Sequence, residues 1–171
     1  MQLYLLRHGI AGQHGDPHYP NDDERPLTKK GRKKIEEQLA GLRDFGVKPD
    51  LIISSPLTRA RETAEIVADG LGLRDRLVIH DGLAAGASTD DLLAAVEIYL
   101  TVAQREQLET VQVMLVGHEP DLSQAAAELS GGMGEIWLRK GGLIRLDLDS
   151  LTSRRGTLRW LLEPEHLQTR N

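Results

Sequence analysis

Two histidines and two arginines lie close to the ends of short apolar runs in the sequence. His8 comes directly after Arg7 at the end of the first run, and His118 follows another run in the second half of the chain. Arg59 lies shortly after a run at residues 51–54. A neutral imidazole is nucleophilic near pH 7, and a guanidinium group matches phosphate oxygens with paired hydrogen bonds. These residue types predict a site for phosphoryl transfer, provided that the fold brings them together.

The four side chains are chemically sufficient for such a transfer. One histidine attacks phosphorus, while Arg7, Arg59 and the second histidine balance the charge on the phosphoryl oxygens. Because imidazole needs no metal for this attack, we expect neither a metal nor a cofactor. His14 and His18 have the spacing of a helical metal pair, but the glycine and proline between them disfavour a helix, so we expect no metal there either.

The elements that must position these residues follow from hydrophobic periodicity. Four short apolar runs predict buried strands at residues 2–6, 51–54, 77–79 and 111–117. Helical spacing of apolar residues predicts four helices between and after them: one after residue 28, one after residue 55, one over residues 88–103 and one over residues 120–129. We expect Thr28, Ser55 and Ser88 to cap the first three helices. Alternation at residues 143–148 and 157–162 predicts an antiparallel hairpin.

This order of elements predicts an α/β fold. The expected architecture is a three-layer α/β/α domain, with a mostly parallel sheet, helices on both faces and a C-terminal antiparallel hairpin. The length of 171 residues favours a single domain over residues 1–171. Ligands of such sheets bind outside the carboxyl ends of the strands. His8, His118 and Arg59 are therefore expected at one rim, beside helix N-termini that offer free N–H groups to an anion.

Composition excludes several classes of function. The formal charge is −5, so the chain as a whole repels nucleic acid and anionic lipid, and we expect neither as a partner. There is no cysteine, which excludes disulfides and thiolate chemistry. The chain shows neither a signal peptide pattern nor an apolar stretch long enough for a membrane span, and a cytoplasmic location is expected. We expect the basic run at residues 29–34, and Arg61, to face solvent.

The motifs together resemble the histidine phosphatase superfamily, which has the phosphoglycerate mutase-like fold, and most closely its compact SixA-type phosphohistidine phosphatases. The resemblance spans about residues 2–146 and rests on five motifs in order. They are Leu5-Leu6-Arg7-His8-Gly9-Ile10-Ala11, Arg25-Pro26-Leu27-Thr28 with Gly31, Ser54-Ser55-Pro56-Leu57-Thr58-Arg59-Ala60 with Glu62-Thr63-Ala64, Val116-Gly117-His118-Glu119-Pro120-Asp121-Leu122, and Lys140-Gly141-Gly142. The resemblance implies that His8 is the phosphorylated nucleophile, that Arg7, Arg59 and His118 complete the phosphate pocket, and that no metal is needed.

One departure from the family bears on the substrate. Larger members carry a glutamate as general acid after the third strand, and Gly82 stands where we expect that residue, although Asp81 can substitute. Without an acid, an alkoxide leaves poorly, whereas imidazole leaves well, so the sequence favours P–N substrates. The short crossover from Gly86 to Ser88 leaves the site open to a protein side chain.

The leading hypothesis is a phosphohistidine phosphatase whose substrate is a phosphorylated protein, a histidine phosphotransfer domain being one candidate. One alternative is a phosphatase of small sugar or glycerate phosphates on the same scaffold. Another, from a different class, is a phosphate-binding regulatory module without catalysis.

Overall fold

The computed structural model describes residues 1–132 and 134–168, which form a mixed sheet of six strands. The strands are β1 (Gln2–Arg7), β2 (Leu51–Ser54), β3 (Leu77–Ile79), β4 (Gln112–Gly117), β5 (Leu143–Leu148) and β6 (Gly156–Leu162). Their spatial order is β3-β2-β4-β1-β5-β6, and the first four are parallel. β5 pairs antiparallel with β1, and β6 antiparallel with β5. The predicted parallel sheet with a C-terminal hairpin is confirmed.

Helices cover both faces of the sheet, as predicted. They are α1 (Lys29–Asp44), α2 (Thr58–Leu71), α3 (Thr89–Tyr99), α4 (Val102–Glu106), α5 (Asp121–Leu129) and α6 (Pro164–Leu167). Alternate strand residues point to opposite sides. Leu5 and Leu115 accordingly belong to one apolar cluster with α3 and α5, while Leu6 and Val116 belong to another with α1, α2 and α6.

Two sequence predictions about helix boundaries are wrong. The predicted helix over residues 88–103 ends at Tyr99, because Leu100 is extended and buried, and the hydroxyl of Thr101 accepts a hydrogen bond from the Gln104 N–H to begin α4. The side chain of Ala103, part of that predicted face, lies outside the described part of the structure. Ser55 does not cap α2, which begins three residues later at Thr58. Thr28 and Ser88 cap their helices as predicted.

The strand ends extend into the loops that carry the predicted site. Arg7 pairs with Gly117 at the end of the β1–β4 ladder, and the His8 N–H donates to the Gly117 carbonyl at 3.1 Å. From the other side, the N–H of Gly141 donates to the carbonyls of Arg7 and His8. The backbone of the first motif is thus held on both flanks.

The N-terminus of α1 packs closely against the loop after His8. The Thr28 N–H and hydroxyl both donate to the Ile10 carbonyl, and Thr28 caps α1 by accepting from the Gly31 N–H. A methyl group at Gly31 would overlap the Ile10 carbonyl. Glycine is therefore required at position 31 because the two backbones are in contact.

We predict that Gly31→Ala destabilises the protein by about 2–3 kcal/mol, since the overlap involves backbone on both sides and neither side yields easily. Gly82→Ala is a matched control, because a methyl group there meets its nearest neighbour, the His80 ring, at 3.5 Å. The control should change the free energy of unfolding by less than about 1 kcal/mol. Urea denaturation measures both, and equal stabilities of the two variants would contradict this account of α1 packing.

Candidate active site

A crevice at the carboxyl ends of β1, β2 and β4 brings together the four residues singled out from the sequence. It has a volume of about 450 Å³. Its lining residues are Arg7, His8, Ala11, Gly12, Gln13, His14, Arg25, Arg59, Ala85, His118, Glu119 and Lys140. Arg61 is exposed on α2 and does not line the crevice.

A hydrogen bond to the backbone orients the imidazole of His8. Nδ1 lies 2.7 Å from the carbonyl oxygen of Gly9. Because a carbonyl only accepts, Nδ1 carries the proton, and the lone pair of the neutral ring is on Nε2. The Gly9 N–H in turn donates to the Thr63 hydroxyl, which donates to the Arg59 carbonyl. This chain of bonds connects the loop after β1 to the helix that carries Arg59.

Burial keeps His8 uncharged. Its side chain is 6% exposed, and this burial, opposed in part by the bond to Gly9 and reinforced by the charges of His118, Arg59 and Arg7, lowers its pKa to about 3. The ring is therefore neutral across the physiological range. A neutral ring with a free Nε2 is the nucleophilic form of histidine.

His118 faces His8 across the crevice, with ring centroids 5.3 Å apart. Its Nε2 shares a hydrogen bond of 2.7 Å with the hydroxyl of Ser55. Burial, followed by the charges of Arg59 and Arg7, lowers the pKa of His118 to about 4. Its Nδ1 is buried and has no hydrogen-bond partner among the described residues.

Arg7 and Arg59 are both anchored through one nitrogen. Arg7 Nη1 donates to the Leu138 carbonyl at 2.7 Å, and its guanidinium lies 5.8 Å from the centre of the Trp137 ring. Arg59 Nη1 donates to the Asp22 carbonyl at 2.9 Å, and Arg59 is 5% exposed. Each anchor fixes the direction of a guanidinium whose remaining donors are available to an anion.

Three residues, Asp22, Arg25 and Ser55, hold the site in place in ways that the sequence analysis did not predict. Asp22 accepts from Arg25 Nε at 2.8 Å and from Arg25 Nη2 at 3.2 Å, and it lies 3.3 Å from Arg59 Nη1. The bonds from Arg25 hold the pKa of the Asp22 carboxyl far below its usual value. Ser55, expected as a helix cap, instead bonds His118. Arg25 and Ser55 belong to the motifs that resemble the superfamily, which is the signal that could have pointed to these contacts.

The segment after β3 approaches the crevice at Ala85, three residues beyond the position expected from the sequence. Gly82 and Asp81 lie in a one-turn helix, and neither lines the crevice. A side chain at Gly82 would begin beside the His80 ring and the Asp91 carbonyl. The expectation that position 82 faces the leaving group is therefore corrected. Ala85, which bears no acid, is the residue of this segment on the crevice wall.

The two histidines that have the spacing of a metal pair are bonded to carboxylates instead. His14 and His18 are exposed, and they bond Asp22 and Asp16 respectively. In the described ranges no group of three or more histidine, aspartate or glutamate residues is arranged to hold a metal ion. Within the same ranges, no helix combines the length and apolar character that crossing a membrane requires.

Known proteins resemble this chain in both sequence and structure. Residues 3–85 match the family model of the histidine phosphatase superfamily, branch 1. An uncharacterized protein of Picosynechococcus is 36% identical over 148 residues, which are 85% of this chain and 84% of that protein. The phosphohistidine phosphatase SixA of Escherichia coli K12 is 26% identical over 98% of this chain and 97% of its own. A solved structure of SixA with tungstate has a TM-score of 0.82 at 25% identity, covering 98% of this chain and 100% of that one.

The lowered pKa of His8 predicts a particular loss of stability in acid. The unfolded chain binds a proton near pH 6.5 and the folded chain only near pH 3, so His8 destabilises the fold progressively as the pH falls through this window. Between pH 6.5 and pH 4.5, the free energy of unfolding should fall by about 2–3 kcal/mol less in His8→Gln than in the unmodified protein. Urea denaturation at both pH values measures the difference, in which groups common to both proteins cancel. If the free energy of unfolding fell by the same amount in both proteins, His8 would not be buried as a neutral ring.

Proposed function

The chain belongs to the histidine phosphatase superfamily, and from this we propose that the protein is a phosphohistidine phosphatase that works through a phosphorylated His8. The observation that carries the proposal is the state of His8, which is a buried neutral ring with Nε2 free, in a crevice that is also lined by two anchored arginines. The similarity to SixA along nearly the whole chain supports the same activity.

In the first half of the proposed reaction, the phosphoryl oxygens bind Arg7, Arg59 and His118. Nε2 of His8 attacks phosphorus, the new P–N bond forms in line with the bond that breaks, and the leaving group takes that bonding pair. The fixed guanidinium groups balance charge on the equatorial oxygens without reorganising.

In the second half, water attacks the phosphorus of phospho-His8. Because Nδ1 already carries a proton and donates it to the Gly9 carbonyl, His8 leaves as a neutral imidazole rather than an anion. Orthophosphate is released and His8 returns to its starting tautomer. Histidine thus serves as both nucleophile and leaving group, and the proposal includes no metal or cofactor.

The contribution of the segment after β3 to the crevice lining favours a P–N substrate. Ala85 offers no proton to an alkoxide, whereas imidazole leaves as a neutral molecule once its ring is protonated. The chain passes directly from Gly86 into α3, so no inserted segment covers the crevice at this connection. An uncovered crevice is suited to a histidine on the surface of a protein substrate. We therefore propose a phosphorylated protein, a histidine phosphotransfer domain for example, as the substrate.

The first prediction from the proposed function concerns the phosphoenzyme. Protein mixed with labelled phosphohistidine substrate in excess chelator and quenched in alkali should carry the label on His8, because Nε2 of this ring is the proposed nucleophile. His8→Gln should remain folded and carry no label. His18→Ala is a matched control, since His18 is exposed and does not line the crevice. It should keep full labelling.

Label at any residue other than His8 would overturn the proposed nucleophile. Loss of labelling in chelator, with recovery on adding a divalent ion, would overturn the metal-free mechanism. Binding of phosphate without any turnover would favour a regulatory module instead.

The second prediction concerns the leaving group. Unmodified protein should hydrolyse phosphohistidine and nitrophenyl phosphate well ahead of glycerol or sugar phosphates, because a positioned acid contributes about 10²–10⁴-fold to alkoxide departure. Ala85→Glu should raise kcat/KM for the alkyl phosphates by supplying that acid from the crevice wall. Gly82→Glu is the matched control, because it adds the same charge three residues away and off the wall.

Steady-state assays of the three proteins on the four substrates decide between the readings. A kcat/KM for a sugar phosphate equal to that for phosphohistidine would replace the proposal with a small-molecule phosphatase. A gain from Gly82→Glu but none from Ala85→Glu would contradict the corrected position of the wall.

A further inference from the structure

The crevice is lined by a carboxyl group, that of Glu119, which the phosphoryl-transfer steps do not use. The carboxylate of Asp22, which is not among the lining residues, has both oxygens bonded by guanidinium groups. Among the described residues, Glu119 has a hydrogen-bond partner only at Oε1, the Ser123 hydroxyl at 2.8 Å. Oε2 is buried and receives no hydrogen bond from the described residues. A buried carboxyl oxygen without a partner is unfavourable, so it is suited to a group brought by a ligand.

The protein fixes the orientation of this carboxyl group. The Leu138 N–H donates to the Ser123 hydroxyl at 3.2 Å, so the hydroxyl hydrogen is directed to Glu119 Oε1. Ser123 lies in the first turn of α5, one turn after Glu119. Loop and helix therefore hold Oε1 in place and leave Oε2 without a hydrogen-bond partner among the described residues.

The charges around Glu119 make it an unusual neighbour for a phosphate. Arg7 faces it from the end of β1, Asp121 opposes it from α5, and His118 precedes it with a neutral ring. Burial is the largest influence and raises the pKa of the Glu119 carboxyl. A negative carboxylate here would repel a phosphate dianion, unless the substrate also carries a positive or proton-donating group beside its phosphoryl group.

Phosphohistidine is a substrate of this kind. Its phosphoryl group is on one ring nitrogen, and its second ring nitrogen takes a proton in the same range as imidazole, about pH 6–7. When that second nitrogen is protonated the ring leaves as neutral imidazole, whereas otherwise it must leave as an anion. An alkyl ester has no second basic atom in its leaving group.

We propose that Glu119 recognises the phosphohistidine ring by sharing a proton between its carboxyl group and the second ring nitrogen. The inference rests on the proposed function and extends it to a residue that selects the leaving group. The P–N bond of the substrate breaks with its electron pair going to the ring, the P–N bond to His8 Nε2 forms, and the proton held with Glu119 stays on the departing imidazole. Glu119 is then left as a carboxylate, and the hydrolysis of phospho-His8, which is common to all substrates, does not involve it.

Glu119→Gln tests this role with two small substrates. Phosphoimidazole has the second ring nitrogen, and nitrophenyl phosphate has a good leaving group without one. At pH 8 the variant should lose about 10²-fold in kcat/KM for phosphoimidazole, the lower end of a general-acid contribution. For nitrophenyl phosphate its kcat/KM should be unchanged or higher, because a negative charge beside the phosphate is removed.

The pH dependence separates proton sharing from a structural role. Below about pH 6 phosphoimidazole protonates itself, so the deficit of Glu119→Gln should shrink to less than about tenfold at pH 5.5. His8, whose pKa is about 3, remains a nucleophile at that pH. Glu135→Gln is a matched control, because Glu135 is exposed, lies outside the crevice and should change neither substrate.

An equal loss on both substrates, or a deficit that does not vary with pH, would overturn the role of Glu119. That result differs from failure of the proposed function, in which the unmodified protein itself hydrolyses phosphoimidazole and phosphohistidine no better than sugar phosphates. Turnover of nitrophenyl phosphate by the variant reports that it is folded.

Discussion

The hydrogen bond from His8 Nδ1 to the Gly9 carbonyl determines what the crevice can do. It places the lone pair on Nε2, and in the proposed mechanism it supplies the proton that lets the same ring leave as a neutral molecule. The bond exists because β1 ends at Arg7 and the next residues are held by Gly117 on one side and Gly141 on the other. The orientation of His8 is thus a consequence of strand order, since β1 lies between β4 and β5.

Charge in the crevice is arranged around that neutral ring. Arg7 and Arg59 are positive and close, which reinforces the lowering of the His8 pKa that burial begins. Asp22 offsets part of this charge while anchoring Arg59, so the arginine keeps its direction in the absence of a ligand. An anion that enters this crevice therefore meets donors that are already oriented, and Glu119 is left as the acceptor for whatever the anion is attached to.

The periodicity of apolar residues and the turn residues between them were enough to predict the sheet, the hairpin and the rim where His8, His118 and Arg59 meet. The errors came from contacts and local backbone geometry that hydrophobic periodicity does not report. Ser55 has the residue type of a helix cap, but its hydroxyl forms a hydrogen bond with His118, which is 63 residues away in the sequence. The wall residue was placed at Gly82 rather than Ala85, because sequence spacing does not reveal how a one-turn helix rotates the chain. The free oxygen of Glu119 likewise depends on Ser123 and Leu138, which local patterns do not connect.

The central claim is that His8 is a neutral ring protonated on Nδ1 and free on Nε2. Nitrogen-15 NMR of the histidine side chains, followed from pH 8 to pH 4 in the free protein, measures both the tautomer and the pKa. The account predicts that the His8 signals show the Nδ1-protonated tautomer throughout and that the ring remains uncharged at pH 5. A His8 ring that titrates near pH 6.5, or one protonated on Nε2 at pH 7, would contradict it.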